Sequence, residues 1–308
     1  MGVLRHPPGE PVSGRPPSSD TSPPPHLIKF RAAVDDLLTE VVGSAGPSGV
    51  QRAEAVLGRR LYDAEFRTVL TQTPEGMSSV VESLTREVRD YRPNDRSAAI
   101  DLTALIRIFL LSQIDAVWWG RTKAYALDAD MLRADELVEL EPLRRRGALK
   151  IRYRTQSEQL WTRGVRAAMR RLAPDRTPRT VGLRYARTRP EVIALAHSLA
   201  TDFTRLAPAG TPELWVNSLT RSVDYQLHLR SLGYSAVLPS AHCVGYAVDI
   251  EMAWFARFGA RPVLEELLLE RRDSGAVNVI DEGQAWHVCI NPAATADLRR
   301  AFDREFSA

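Results

Sequence analysis

The stretch SAHCVGYAVDIEMAW, residues 240–254, joins a histidine to an alternating run. In that run Ala247, Asp249 and Glu251 fall on one face of a strand, and Val248 and Ile250 on the other. His242 stands seven positions before Asp249, and Gly245 lets the chain turn between them. The same grammar recurs in AWHVCI, residues 285–290, where His287 and Cys289 share one face and Trp286, Val288 and Ile290 the other. Two such strands paired with their polar faces together bring His287 against Asp249, and His242 can fold back as a third donor. Two imidazoles and a carboxylate, with one position left open, form the donor set of a catalytic zinc site. Each histidine alone is equally at home in a core; only convergence makes a site of them. His6, His26, His197 and His228 lack a metal-spaced partner and are not expected to be ligands. Cys243 and Cys289 read as small core residues.

The C-terminal part around these two strands reads as short strands mixed with helices. One helix covers EVIALAHSLATDFTRLA after Pro190, and another runs from about Pro262 to Arg271. Between and after them ELWVNSL, YSAVLP, GYAVDIEM, GAVNVID and AWHVCIN read as strands. This predicts an α+β domain with a small, mostly antiparallel sheet and flanking helices over residues 176–308. Residues 26–126 carry four helical stripes: from His26 to Gly43, from about Val50 to Thr71, from about Met77 to Tyr91, and from near Asp95 onward. They suggest the seam of a small bundle within a helical domain, residues 26–175. Trp118 and Trp119 read as packing residues. A further helix is expected over EQLWTRGVRAAMRRLA, opened by Ser157 and Glu158 and ended by Pro174. There is no internal repeat. Residues 1–25 are rich in Pro, Ser and Gly, lack the apolar stretch of a secretory signal, and read as a disordered tail.

Charge is distributed unevenly. Residues 144–189 hold fifteen Lys and Arg against two acids, a net of +13 that leaves −10 for the rest of a chain whose total is +3. Such a block can dock an anionic polymer or pair with acidic elements of its own chain. No RNA- or DNA-binding motif accompanies it, so nucleic acid is not the expected partner. Two cysteines exclude a disulfide scaffold and a four-cysteine zinc module. The most apolar window, residues 98–119, contains Asp101, Arg107 and Asp115, which argues for a buried helix and not a membrane span. A cytoplasmic location is expected.

Three motifs carry a resemblance. Residues 240–249 match S-x-H-x-x-G-x-A-x-D. Upstream, VNSLTRSVDYQLHL matches S-x-x-R-x-x-x-Y-Q-x-x-L through Ser218, Arg221, Tyr225 and Gln226, and downstream Trp286-His287 matches a W-H ending. In this order, over roughly residues 190–295, they resemble the zinc D-Ala-D-Ala peptidases, the hedgehog-fold family that includes the vancomycin-resistance dipeptidases and carboxypeptidases. The resemblance implies a hedgehog-like fold and Zn²⁺ on His242, Asp249 and His287. It also implies Arg221 at the scissile carbonyl or its oxyanion, and Ser240, Tyr225 and Gln226 at the substrate. The substrate class implied is a short peptide with a D-amino acid, as in cell-wall precursors. The first 175 residues lie outside it.

The chain departs from that family at the general base. The family places a glutamate three residues before the last histidine, as E-x-W-H; here Gln284 stands there. An amide cannot take a proton from the attacking water. Glu282 can replace it if Gly283 bends the chain, because five residues of straight strand span about 16 Å. Glu251 or Asp281 are alternative bases, and Glu251 is equally suited to orienting a ligand. With no base at all, the protein would be a zinc-bearing pseudoenzyme that binds without cleaving.

Overall fold

In the computed structural model the described residues are 23–42, 49–93, 98–156, 177–234 and 237–306. The helix expected over 158–173, with Arg163, Arg166, Arg170 and Arg171 on it, and the N-terminal tail through residue 22 lie outside them.

The N-terminal half forms a helical layer: α1 (Pro25–Val42), α2 (Gly49–Arg60), α3 (Ala64–Leu70), α4 (Gly76–Asp90) and α5 (Leu102–Trp119). Their stripes meet in one core around Phe30, Leu37, Phe66, Leu84, Leu110 and Ile114. The stripe expected to run unbroken from residue 50 to 71 is two helices, because the chain turns at Leu61–Asp63. The fourth begins at Leu102 and not near Asp95: Asp101 is its N-cap, accepting from the Ala104 amide at 2.7 Å.

Two short helices, α6 (Asp128–Arg133) and α7 (Leu140–Arg145), and a short strand β1 (Val138–Glu139) lead to β2 (Ile151–Tyr153). Next come β3 (Arg187–Thr188), paired with β1, then α8 (Pro190–Leu206), β4 (Leu214–Ser218), α9 (Val223–Ser231) and β5 (Ala247–Glu251). The chain closes with α10 (Arg261–Asp273), β6 (Val277–Asp281), β7 (Ala285–Ile290) and α11 (Thr295–Phe306). The main sheet has the order β2-β4-β5-β7-β6, with β2–β4 parallel and the other pairs antiparallel. The protein is thus α+β, with a small, mostly antiparallel sheet and flanking helices. Of the segment YSAVLP expected as a strand, residues 237–239 are irregular: Pro239 offers no N–H to a ladder, and the Val237 carbonyl accepts from Gln226 Nε2.

Each sheet face has its own cover. Val248, Ile250, Trp286, Val288, Ile290, Val277 and Val279 face a core shared with α8, α10 and α11. Strand β2 lies before residue 176, yet Leu143, Ile151 and Tyr153 are built into this same core. The opposite face meets α5, through Ile108 against Ile280 and through Trp119 against Ala247 and Cys289. Helix α5 is long and apolar enough to cross a membrane, and here it is the wall between the two halves. Trp119 stacks on Tyr246 with ring centroids 3.7 Å apart, and its Nε1–H donates to the Ile290 carbonyl at 2.7 Å.

Among the described arginines of the basic block, Arg144 and Arg145 pair with Glu141, Arg152 with Glu213, and Arg184 with Asp128. Arg187 pairs with Glu139 and Arg189 with Glu136.

Candidate metal centre

The face of the sheet toward α5 holds the polar residues. In the β5–β7 ladder Asp249 stands directly opposite His287, as the matching alternation of the two strands requires. His242 sits in a single 3₁₀ turn, Ala241–Val244, which ends at Gly245 with φ +82° before β5 begins. That left-handed residue folds the turn back over the strand it precedes.

Three atoms converge. His242 Nε2 lies 3.0 Å from Asp249 Oδ1 and 3.0 Å from His287 Nδ1, and His287 Nδ1 lies 3.0 Å from Asp249 Oδ1. The outer nitrogens of both rings donate elsewhere: His242 Nδ1–H to the Leu219 carbonyl at 2.8 Å, and His287 Nε2–H to Asp115 Oδ2 at 2.9 Å. A neutral imidazole with one nitrogen donating presents a lone pair on the other. Two nitrogen lone pairs and a carboxylate oxygen therefore meet, and they repel unless a cation or proton lies among them. Three points 3.0 Å apart share a common point about 2 Å from each, the length of a zinc–nitrogen bond. The group can hold a metal ion, and it is the one cluster with that geometry among the described residues. It is buried, with His242, Asp249 and His287 exposed by 2%, 9% and 7%.

The electrostatics follow. Burial and the neighbouring Arg221 lower the His242 pKa to about 4, against the pull of Asp249. Burial would lower His287 as well, but its bonds to Asp115 and Asp249 outweigh burial and push it up to about 10. For Asp249 burial acts upward, and His242, His287 and Arg221 together hold the carboxyl well below the usual carboxylate range. A bound cation would invert this balance by taking the proton's place.

The three donors line one pocket of about 570 Å³ with Arg221, Glu282, Glu251, Gln284, Ser240, Tyr225 and Gln226, whereas Asp281 lies outside it. Arg221 lies just before the Ser222 N-cap of α9; its Nη2 is 3.6 Å from Asp249 Oδ2, and its Nε–H is buried with no partner. Asp249 is thereby divided, one oxygen toward the histidines and the other toward the guanidinium. Glu282 reaches the pocket by a hairpin: its amide donates to the Ala285 carbonyl at 3.1 Å, and Gly283 turns the chain at φ +76°. The expected bend is present, and β6 folds back on β7 so that Glu282 is a diagonal neighbour of His287 across the ladder, on the same face. Burial and the charge of Asp249 push its carboxyl up to about 7, with His287 and Arg221 acting the other way.

The other candidates have structural work. Glu251 accepts from Asn217 Nδ2 at 2.8 Å and from the Trp254 amide at 2.9 Å, so both its oxygens are engaged in the pocket wall. Asp281 accepts from the Gly283 amide at 2.7 Å and shapes the hairpin. The Gln284 carbonyl accepts from the Met252 and Ala253 amides, and its side chain is exposed. Tyr225 Oη accepts from Gln156 Nε2 at 2.8 Å, and its ring lies 4.6 Å from the Arg184 guanidinium. Gln226 Nε2 is spent on Val237, with its Oε1 buried and unpartnered. Ser240 precedes the His242 turn, and its carbonyl accepts from the Cys243 amide. Cys243 and Cys289 are both buried and free. Among the remaining described histidines, His197 lies 3.3 Å from Glu305 and edge-on to Phe306, and His228 is near the Tyr225 ring.

Asp115 was not legible as part of this site. Its one sequence signal is a carboxylate in the most apolar helix of the chain, where a buried charge must find a partner. The partner, His287, is 172 residues away.

Set against known protein families, curated proteins and solved structures, the chain finds no match in any of the three.

Proposed function

We propose that the protein is a zinc-dependent metallopeptidase acting on short peptides, with D-amino-acid-containing cell-wall-type peptides as the substrate class suggested by its resemblance to the D-Ala-D-Ala peptidases. One observation carries this reading: three possible metal donors share a pocket with the Arg221 guanidinium and the Glu282 carboxylate. Arg221 Nε has no hydrogen-bond partner among the described residues, and Glu282 lines the same pocket. Zn²⁺ on His242, Asp249 and His287 would supply a Lewis acid that polarises the scissile carbonyl and makes water a competent nucleophile near neutral pH. Glu282, in the role that Gln284 cannot fill, accepts the proton of the attacking water and returns it to the leaving amine. Its pKa near 7 suits both transfers. Arg221 stabilises the tetrahedral oxyanion, a contribution of about 3 kcal/mol for one well-placed donor in a shielded site.

A second reading is a zinc-bearing module that binds peptides without cleaving them, favoured by the amide at position 284. Metal content of the purified protein, with assays on D,D-, L,D- and L,L-dipeptides, separates the two. The peptidase reading expects one zinc per chain, lost in His242→Ala and in His287→Ala, and hydrolysis of at least one dipeptide. Glu282→Gln should keep the zinc while turnover falls roughly 10²–10⁴-fold. Zinc without hydrolysis leaves the binding module; stoichiometric zinc persisting in the double histidine variant sinks both.

A further inference from the structure

His287 is held from outside the sheet by a chain of hydrogen bonds that starts in the first helix. Arg31 of α1 donates from Nη2 to Asn278 Oδ1 at 3.0 Å. A guanidinium can only donate, so it settles which end of the Asn278 amide is oxygen. The Asn278 Nδ2 group then donates to the Leu111 carbonyl at 3.0 Å and to Asp115 Oδ1 at 2.8 Å. Asp115 has its second oxygen left, and Oδ2 receives the His287 Nε2–H at 2.9 Å. With one proton held on Nε2, it is Nδ1 of His287 that becomes a lone pair toward Asp249 and His242 when a cation takes the place of the second proton. Asn278 and Asp115 are exposed by 0% and 4%, so water does not compete for these groups. His242 is locked independently, by a backbone carbonyl.

We infer that Arg31, Asn278 and Asp115 are positioning residues that fix the tautomer of His287, so that the helical half sets the metal-binding donor of the sheet. This rests on the metal centre proposed above, and not on the peptidase chemistry assigned to it. The helical half is then part of the centre, although all three ligands come from the other half.

The polarity of the chain provides a test that a packing role would fail. Asp115→Asn keeps shape and volume. Asn278 Nδ2 still needs its acceptor, so the new amide keeps its oxygen there and turns its NH₂ onto His287. Two donors then face each other, and the ring must carry its proton on Nδ1, where it removes the lone pair. Asp115→Ala deletes the bond and imposes neither tautomer. Zinc affinity of the full-length protein, measured by chelator competition with circular dichroism as the folding control, should fall in the order wild type, Asp115→Ala, Asp115→Asn. The Asn variant should be weaker than wild type by roughly 10–100-fold. A purely steric role predicts the reverse order for the two variants. Arg31→Met, which frees the Asn278 amide to turn over, should weaken zinc in the same direction; wild-type affinity there removes Arg31 from the chain. Long-range ¹H–¹⁵N spectra of the zinc-loaded wild type should place the His287 proton on Nε2, and they decide the matter if the variants do not fold. A proton on Nδ1, or Asp115→Asn binding as tightly as wild type or more tightly than Asp115→Ala, overturns the inference. A wild type that takes up no zinc defeats the metal centre itself, whereas zinc uptake unchanged in Asp115→Asn defeats this relay alone.

Discussion

Three buried histidines show how far environment controls one residue type. His287, between two carboxylates, is pushed up to about 10, and His242, buried beside a guanidinium, down to about 4. His197 is also lowered from the ordinary imidazole value, because burial between α8 and α11 outweighs the nearby Glu305 carboxylate. Its sign gives a prediction. A histidine whose folded pKa is depressed binds its proton less tightly when folded, so its contribution to stability is intact above the unfolded value of about 6.5 and is lost as pH falls through the folded one. Thermal unfolding between pH 7 and 5 should therefore show a smaller loss in His197→Leu than in the wild type. Equal losses in the two proteins would locate the acid sensitivity elsewhere. The carboxylates also differ: Glu251 has both oxygens committed to Asn217 and Trp254, whereas burial and the charge of Asp249 push Glu282 up to about 7.

At the level of elements, two glycines set the geometry that the strands exploit. Gly283 makes the β6–β7 connection tight enough for Glu282 and His287 to share a face at neighbouring positions. Gly245 separates the turn that carries His242 from the strand that carries Asp249, at a φ of +82° that disfavours any side chain. A Cβ there would also meet Arg189 Cγ at 3.2 Å and Leu137 Cδ2 and Thr220 Oγ1 at 3.3 Å. Gly245→Ala should cost about 1–2 kcal/mol for the left-handed backbone, and it should weaken zinc binding by shifting His242 against Asp249. Urea unfolding and chelator competition check the two effects separately; unchanged values in both would show that the turn does not set the spacing of the ligands.

For the whole molecule the main feature is that α5 belongs to two cores. Its Leu110 and Ile114 pack into the bundle, while Ile108 and Trp119 cover the sheet and Asp115 reaches His287. A fragment comprising residues 128–306 keeps every ligand, Arg221 and Glu282. It exposes Ile280, Ala247 and Cys289, however, and leaves the His287 Nε2–H without its acceptor. Its zinc affinity should be at least 10-fold below that of the full chain, the scale of loss expected when a ligand's outer partner is removed. A fragment that folds and holds zinc as tightly as the full chain would show that the bundle is a separable appendage.

Period and local chemistry account for what was legible in the amino acids alone. The alternation in AVDIE and AWHVCI set which side chains share a face, and Gly245 marked the fold-back that returns His242 to Asp249. Gly283 marked the bend that brings Glu282 back beside His287. Periodicity says which face a residue is on, but not what packs against that face. Packing across the chain settles that β2, from the nominally helical half, joins the sheet beside β4, and that Val237 and Pro239 line the pocket. It alone could pair Asp115 with His287 and Arg31 with Asn278, contacts 172 and 247 residues apart. Such pairs have no local signature, because they arise where two independently patterned surfaces meet, and the buried polar groups left at that contact must then satisfy one another.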